Sequence, residues 1–251
     1  MQLLNTNESN TKIRKSASGT EYRIASLSLY PDILTCPGSA LANCMDACLK
    51  SAGRGCMSNV IAARQSKTDL YHSDPERFFE LLNDQLFAFE RSCARQGKTP
   101  LARLNTISDI PFEKHGIPQN HPNIGLYDYT KLASRLDRTP PNYKLMFSYS
   151  AEPKYQNSVK MALKTNCPIA VVFRGGLPKV FLDRPVIDGD KSDIVNFNAG
   201  AVVLGLKLKG PRRIQTMKTN FIVDNPELES LKALVGPLQV VESPELEEVA
   251  A

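Results

Sequence analysis

Six short apolar runs, each closing in polar or charged residues, set the tightest limit on what this chain can fold into. They are PLARLNTISD, IGLYDYTK, YKLMFSYSAE, PIAVVFRG, PVIDGDKSD and AVVLGLKLKG. A seventh segment, YRIASLSLY (Tyr22–Tyr30), precedes them and alternates as a strand does. The runs are apolar on both faces and are interspersed with helical segments, a pattern that suits parallel strands covered by helices. Two helices are legible between the first strand and the next run, over MSNVIAARQSKTDLY and PERFFELLNDQLFAFERSCARQG. In the second, Pro75 suits the first turn, Phe78, Leu82, Leu86, Phe89 and Cys93 form one apolar stripe, and Gly97 stops it. A further helix is expected over PKYQNSVKMALKT. With 251 residues, the chain is long enough for one large domain. The fold expected is α/β: a parallel-strand (β/α) barrel or partial TIM-like barrel, one domain with disordered termini. Its boundaries are read as a polar lead at 1–19, a barrel-like body at 20–223 and an acidic tail at 224–251.

In such folds a site forms where several strand ends meet, at their carboxyl side. The residues expected to line it are Asn105, Asp109, Asp128, Lys131, Ser148 and Arg174, all at or just after the ends of apolar runs. No glycine-rich phosphate loop, nucleophile elbow, Cys-His pairing or H-E-x-x-H motif is present, which removes support from several common enzyme classes. The Asp188, Asp190, Asp193 group has the look of a turn more than of a cation loop.

The first strand runs into CPGSALANCMDACLKSAGRGC, which holds four of the six cysteines: Cys36, Cys44, Cys48 and Cys56. Their spacing of seven, three and seven intervening residues lacks the C-x2-C knuckles of structural zinc and the C-x-x-C of a redox pair. Cys44 and Cys48 are four apart, so a helical turn would put both sulfurs on one face. Iron–sulfur clusters take more irregular spacing, so a cluster is the first reading, zinc the second and inert packing the third. Cys93 lies on the apolar stripe of a helix and is read as core. Clustered thiols in a chain without a signal peptide fit a cytoplasmic, reducing setting.

Charge is unevenly spread. From Asp224 to the end, seven acids face Lys232 alone; that net −6 leaves +11 on residues 1–223 of a chain whose total is +5. A basic body suits a nucleotide or nucleic-acid partner, with Lys207, Lys209, Arg212 and Arg213 as the candidate phosphate contacts. No apolar run is long enough to span a bilayer, and no membrane partner is expected.

The cysteine window with AGRG, followed in order by RLNTISDIPFE, YDYTK, MFSYS, AVVFRG, VIDGD and GLKLKG, resembles the phage-encoded gene product 88 family over about residues 20–212. The resemblance implies a phage protein acting in the host cytoplasm. In that pattern Cys36, Cys44 and Cys48 are the recurring cysteines and the position of Cys56 is usually another residue. The layout is also similar, at a distance, to radical-SAM enzymes, in which three thiolates hold a [4Fe–4S] cluster whose fourth iron is open to S-adenosylmethionine. The usual spacing there is three then two, against seven then three here. The function expected is therefore an iron–sulfur protein, radical-SAM-like, acting on a nucleotide or nucleic acid. The alternative is a non-catalytic, metal-stabilised nucleic-acid-binding module.

Overall fold

The structure is a computed structural model that describes residues 1–6 and 11–227. Its strands are β1 (Leu4–Asn5), β2 (Tyr22–Leu27), β3 (Thr99–Arg103), β4 (Gly125–Thr130), β5 (Tyr143–Ser148), β6 (Ile169–Arg174), β7 (Val180–Phe181), β8 (Arg184–Asp188), β9 (Val203–Lys207) and β10 (Ile222–Asp224). The helices are α1 (Thr11–Ala17), α2 (Ser39–Ala42), α3 (Ser58–Ser73), α4 (Pro75–Arg95), α5 (Ile117–Asn120), α6 (Gln156–Leu163), α7 (Asp193–Asn198) and α8 (Arg212–Gln215). One sheet takes all ten strands in the order β1-β2-β3-β4-β5-β6-β9-β8-β7, with β10 beside β6. Pairing is antiparallel only where β1 meets β2 and β7 meets β8; the other pairs are parallel. All seven apolar segments read as strands carry one. The barrel expectation needs correction: among the described residues the strand order ends at β1 and β7, and the sheet is open.

Period-two alternation sorts the sheet into two faces. Ala102, Leu126 and Leu145 point one way and pack under α4, whose buried stripe is Phe78, Leu82, Leu86, Phe89 and Cys93. Asp74 caps that helix by accepting from the Arg77 amide at 3.0 Å, and Pro75 occupies its first turn. The same face continues through Phe147, Ile169 and Val171 beneath Val159 and Ala162 of α6. The opposite face carries Ile24, Leu101, Tyr127, Met146, Ala170 and Leu204, covered by Ile13 and Ala17 of α1 and by Phe197 of α7.

The lead read as disordered is corrected over its described part. It supplies β1 and α1, with Leu3, Leu4 and Ile13 all at most 1% exposed. Its polar letters hid three apolar residues that fill gaps on both faces of the sheet. The acidic tail also begins later than its composition suggests, because Asp224 is the last residue of β10, in register with Arg174. The part of the tail beyond residue 227 lies outside the described residues. No helix among the described residues is long and apolar enough to cross a membrane.

Burial of Ile13 makes a direct test of the docked lead. Ile13→Ala is expected to cost about 2–5 kcal/mol of stability in urea unfolding, the usual range for emptying a buried isoleucine site. A lead without packing would leave the midpoint unchanged.

Candidate functional site

Strands β2 to β6 run parallel, so the loops that follow them share one rim. The loop after β2 carries the cysteine window and is anchored along its length. Asp32 Oδ1 accepts from the amides of Leu34 and Thr35 at 2.9 and 2.8 Å, which sets the first turn. The Asp109 amide, in the loop after β3, donates to Thr35 O at 2.7 Å. Gly38 lies flat on Lys131, in the loop after β4: a Cβ there would sit 2.6 Å from the Lys131 Cβ. Ser150 Oγ, after β5, donates to Ala42 O at 2.8 Å. Three neighbouring loops thus hold the window in place.

The window itself is not one helix. The short α2 ends at Asn43, whose left-handed backbone (φ 49°) turns the chain toward Cys44, and Cys48 lies beyond a further turn. The expectation that Cys44 and Cys48 stack on one helical face is corrected: no described helix holds them both. Cys36 and Cys44 are buried, each 6% exposed, while Cys48 is half-buried. Cys56 is exposed, and its Sγ donates back to Gly53 O at 3.0 Å within its own turn.

Lys131 is the cation of this group, and sequence spacing named it without showing what it serves. Its amide donates to Asp109 Oδ2 at 2.7 Å, and its carbonyl accepts from the Tyr155 hydroxyl at 2.8 Å. Tyr155 also donates to Ser148 O at 3.0 Å, so one buried ring ties the ends of β4 and β5 together. Burial pushes the Cys36 thiol up to about 12, with the Lys131 charge opposing. Cys44 is raised for the same reason and opposed by the same cation. Burial alone would lower Lys131, but the charges of Cys44, Cys36, Asp109 and Cys48 together raise it. Burial therefore favours the protonated thiols of Cys36 and Cys44, with the Lys131 ammonium pulling the other way.

As a donor set, three sulfurs with a neighbouring cation fit a thiolate-ligated centre in type and charge. Among the described residues, though, no group of three or more His, Cys, Asp or Glu stands in an arrangement ready to hold a metal ion. Loading would require the three sulfurs to draw together and to give up their protons.

The remaining residues expected to line a pocket are brought near this rim but turn inward. Asn105, Asp109 and Asp128 are each at most 2% exposed. Asp128 accepts from the Asn105 amide at 2.7 Å, from Asn105 Nδ2 at 3.1 Å and from the Tyr143 hydroxyl at 2.7 Å. Asp109 Oδ1 accepts from Arg135 Nη1 at 2.6 Å, and Arg135 forks onto Glu113 through Nε and Nη2 at 2.8 Å each. These are completed polar networks inside the protein, not a lining. Arg135 and Tyr155 escaped the sequence reading because neither ends an apolar run; their one signal was a charged or phenolic residue within a short stretch next to a strand end.

Arg174 sits apart. It bonds Asp224 Oδ1 at 3.1 Å and the Met217 carbonyl, closing β10 onto β6. The expectation that Asp109 and Arg174 open onto one cavity is therefore corrected. A cleft of about 290 Å³ lies outside the Arg135–Glu113 pair, lined by Pro111, Lys114, Gln119 and Leu132. At the end of β9, which runs parallel beside β6, Lys207 and Lys209 form ion pairs with Asp188 and Asp190, at 3.6 and 2.6 Å. Of the four candidate phosphate contacts, Arg212 and Arg213 on α8 are exposed and make no ion pair among the described residues.

The family model described as gene product 88 matches residues 2–225. The chain belongs to the gene product 88 family. The match runs from the segment before β1 to the residue after β10, so the docked lead and the last strand are parts of the family's domain. No curated protein and no solved structure matches the chain.

Asp128 gives this family member a measurable pH signature. Burial raises its carboxyl to about 6, against the hydrogen bonds from Tyr143 and the Asn105 amide. An unfolded aspartate titrates near ~3.9. Between those values the folded state holds a proton that the unfolded state has released, so stability falls as pH rises from about 4 to about 6 and then levels. The drop should be at most roughly 3 kcal/mol in urea unfolding, and Asp128→Asn should abolish this slope. A slope that survives the substitution assigns the titration to another group.

Proposed function

We propose that this gene product 88 protein holds an iron–sulfur cluster through Cys36, Cys44 and Cys48, with Cys56 outside the ligand set. One observation carries the reading: a single loop after the first parallel strand holds three thiols and packs through Gly38 against Lys131 on the carboxyl rim. The rim is where parallel α/β proteins place their chemistry. Cys56 faces solvent and bonds its own turn, which sets it apart from the other three. When bound, a [4Fe–4S] cluster of three thiolates would supply an open iron able to take S-adenosylmethionine, the chemistry of radical-SAM-like enzymes. In that reading the open sheet is a partial barrel.

The protein's own residues have simpler tasks there. Lys131 offsets thiolate charge, and Tyr155 fixes the main chain of Lys131 and of β5 through two hydrogen bonds. The loop anchors at Thr35, Gly38 and Ala42 hold the window against the rim. A nucleotide or nucleic acid remains the proposed substrate class on the strength of the basic body. The non-catalytic nucleic-acid-binding reading keeps only Arg212 and Arg213 of its four contacts free of ion pairs, and the ion pairs at Lys207 and Lys209 count against it.

Anaerobic reconstitution followed by iron, sulfide and zinc analysis tests the proposal. The loaded protein should be brown, with broad absorbance near ~400 nm. Cys36→Ala, Cys44→Ala and Cys48→Ala should each abolish or sharply reduce the iron content, while Cys56→Ala and Cys93→Ala retain it. A colourless, zinc-loaded protein would replace the cluster with a structural metal. Iron that survives all three substitutions would end the assignment.

A further inference from the structure

We propose that the cleft outside the Arg135–Glu113 pair binds a small phosphate monoester. The cleft encloses about 290 Å³, close to the ~300 Å³ at which small-molecule sites begin. Its walls come from two loops of the carboxyl rim. The loop after β3 supplies one, with Lys114 and Gln119, and the loop after β4 supplies the other, with Ser134 and Arg138. A buried ion pair clamps the walls together: Arg135 forks onto both oxygens of Glu113 at 2.8 Å, with the two side chains 4% and 9% exposed. The space is therefore set before a ligand arrives, which lowers the cost of binding one.

The donors that line this space are unspent. The Lys114 amide donates to Pro111 O at 2.9 Å and the Arg138 amide to Arg135 O at 3.1 Å, which fixes both main chains. Among the described residues, neither side chain makes a hydrogen bond or ion pair, nor do those of Gln119 and Ser134. Glu113 is the acid of the lining, and Arg135 takes both its oxygens, so three cations against one carboxylate leave the lining at +2. Asp109, on Arg135 Nη1, is fully buried and outside the lining, and Asp137 lies outside it too. Lysine and arginine only donate, so the cleft calls for an acceptor with negative charge. A phosphate monoester meets this, because its terminal oxygens take an arginine fork and a lysine point charge together. Pro111 and Leu132 give the adjoining sugar-sized body an apolar wall. Leu132 also faces Gly38, where a Cβ would sit 3.4 Å from Leu132 Cδ2, so the cleft backs onto the cysteine window. The cleft is complete without a metal, so phosphate binding does not rest on the cluster, and iron content is a separate readout.

The test is calorimetric titration of the full chain, treated with chelator, in a phosphate-free buffer of low ionic strength. Adenosine 5′-monophosphate should bind about tenfold more tightly than adenosine, inorganic phosphate should compete with it, and added salt should weaken it. Lys114→Met and Arg138→Met should each weaken the monophosphate about five- to tenfold, while Lys114→Arg keeps most of the affinity. Both side chains are exposed, so the methionine variants should keep the urea midpoint of the parent, which separates lost binding from misfolding. Lys160→Met removes the same charge from α6, outside the cleft, and should leave the affinity unchanged. The proposal is overturned by no binding of the monophosphate, by adenosine binding equally well, by acetate competing as strongly as phosphate, or by an equal loss in Lys160→Met.

Discussion

The rim depends on the buried carboxylate of Asp109. Its two oxygens accept from Arg135 Nη1 and from the Lys131 amide, and its own amide donates to Thr35 O. One residue after β3 therefore ties the loop that follows β2 to the loop that follows β4. A fully buried carboxylate is tolerated only when a charge partner and further hydrogen bonds complete it, and Arg135 with Glu113 does so here. Removing either side would leave a charge stranded in the core, which typically costs about 3–5 kcal/mol. The cysteine window rests on this tie, because Thr35 immediately precedes Cys36.

The same tie explains why the cysteine window packs against Lys131. Lys131 follows β4 directly, so fixing its amide to Asp109 fixes where its side chain starts, and Gly38 lies flat against that side chain. Arg64 comes from a different element, the helix that begins at Ser58, and its Nη1 lies against Gly55 of the loop after Cys48. A parallel sheet gathers such contributions because its loops emerge together, whatever their separation in sequence.

How much of this was legible depends on the range of the interactions. The strand cores and the α4 stripe were readable because their periods of 2 and 3.6 are written in consecutive residues. The polar strand ends Asn105, Asp109 and Asp128 could be named from the sequence, but their role was not readable: an aspartate aimed at solvent and one bonded to a tyrosine fifteen residues away have the same letter. Lys207 and Lys209 read as a phosphate-seeking patch for the same reason. Their partners Asp188 and Asp190 lie one strand away, on β8 and the turn that follows it, and cancel them. The lead was misread because Leu3, Leu4 and Ile13 are too few to show a period.

The sequence alone determined an α/β chain with buried parallel strands, one strongly amphipathic helix and a cysteine window after the first strand, since each rests on local periodicity, spacing or residue type. Only the tertiary structure decided that the sheet stays open and that Cys36 and Cys44 are buried while Cys56 is not. It also decided that Arg174 serves β10 and lies apart from the thiols. These outcomes are set by which loops share a rim and which charges find partners across it, and proximity of that kind is a property of the packed chain that no window of consecutive residues contains.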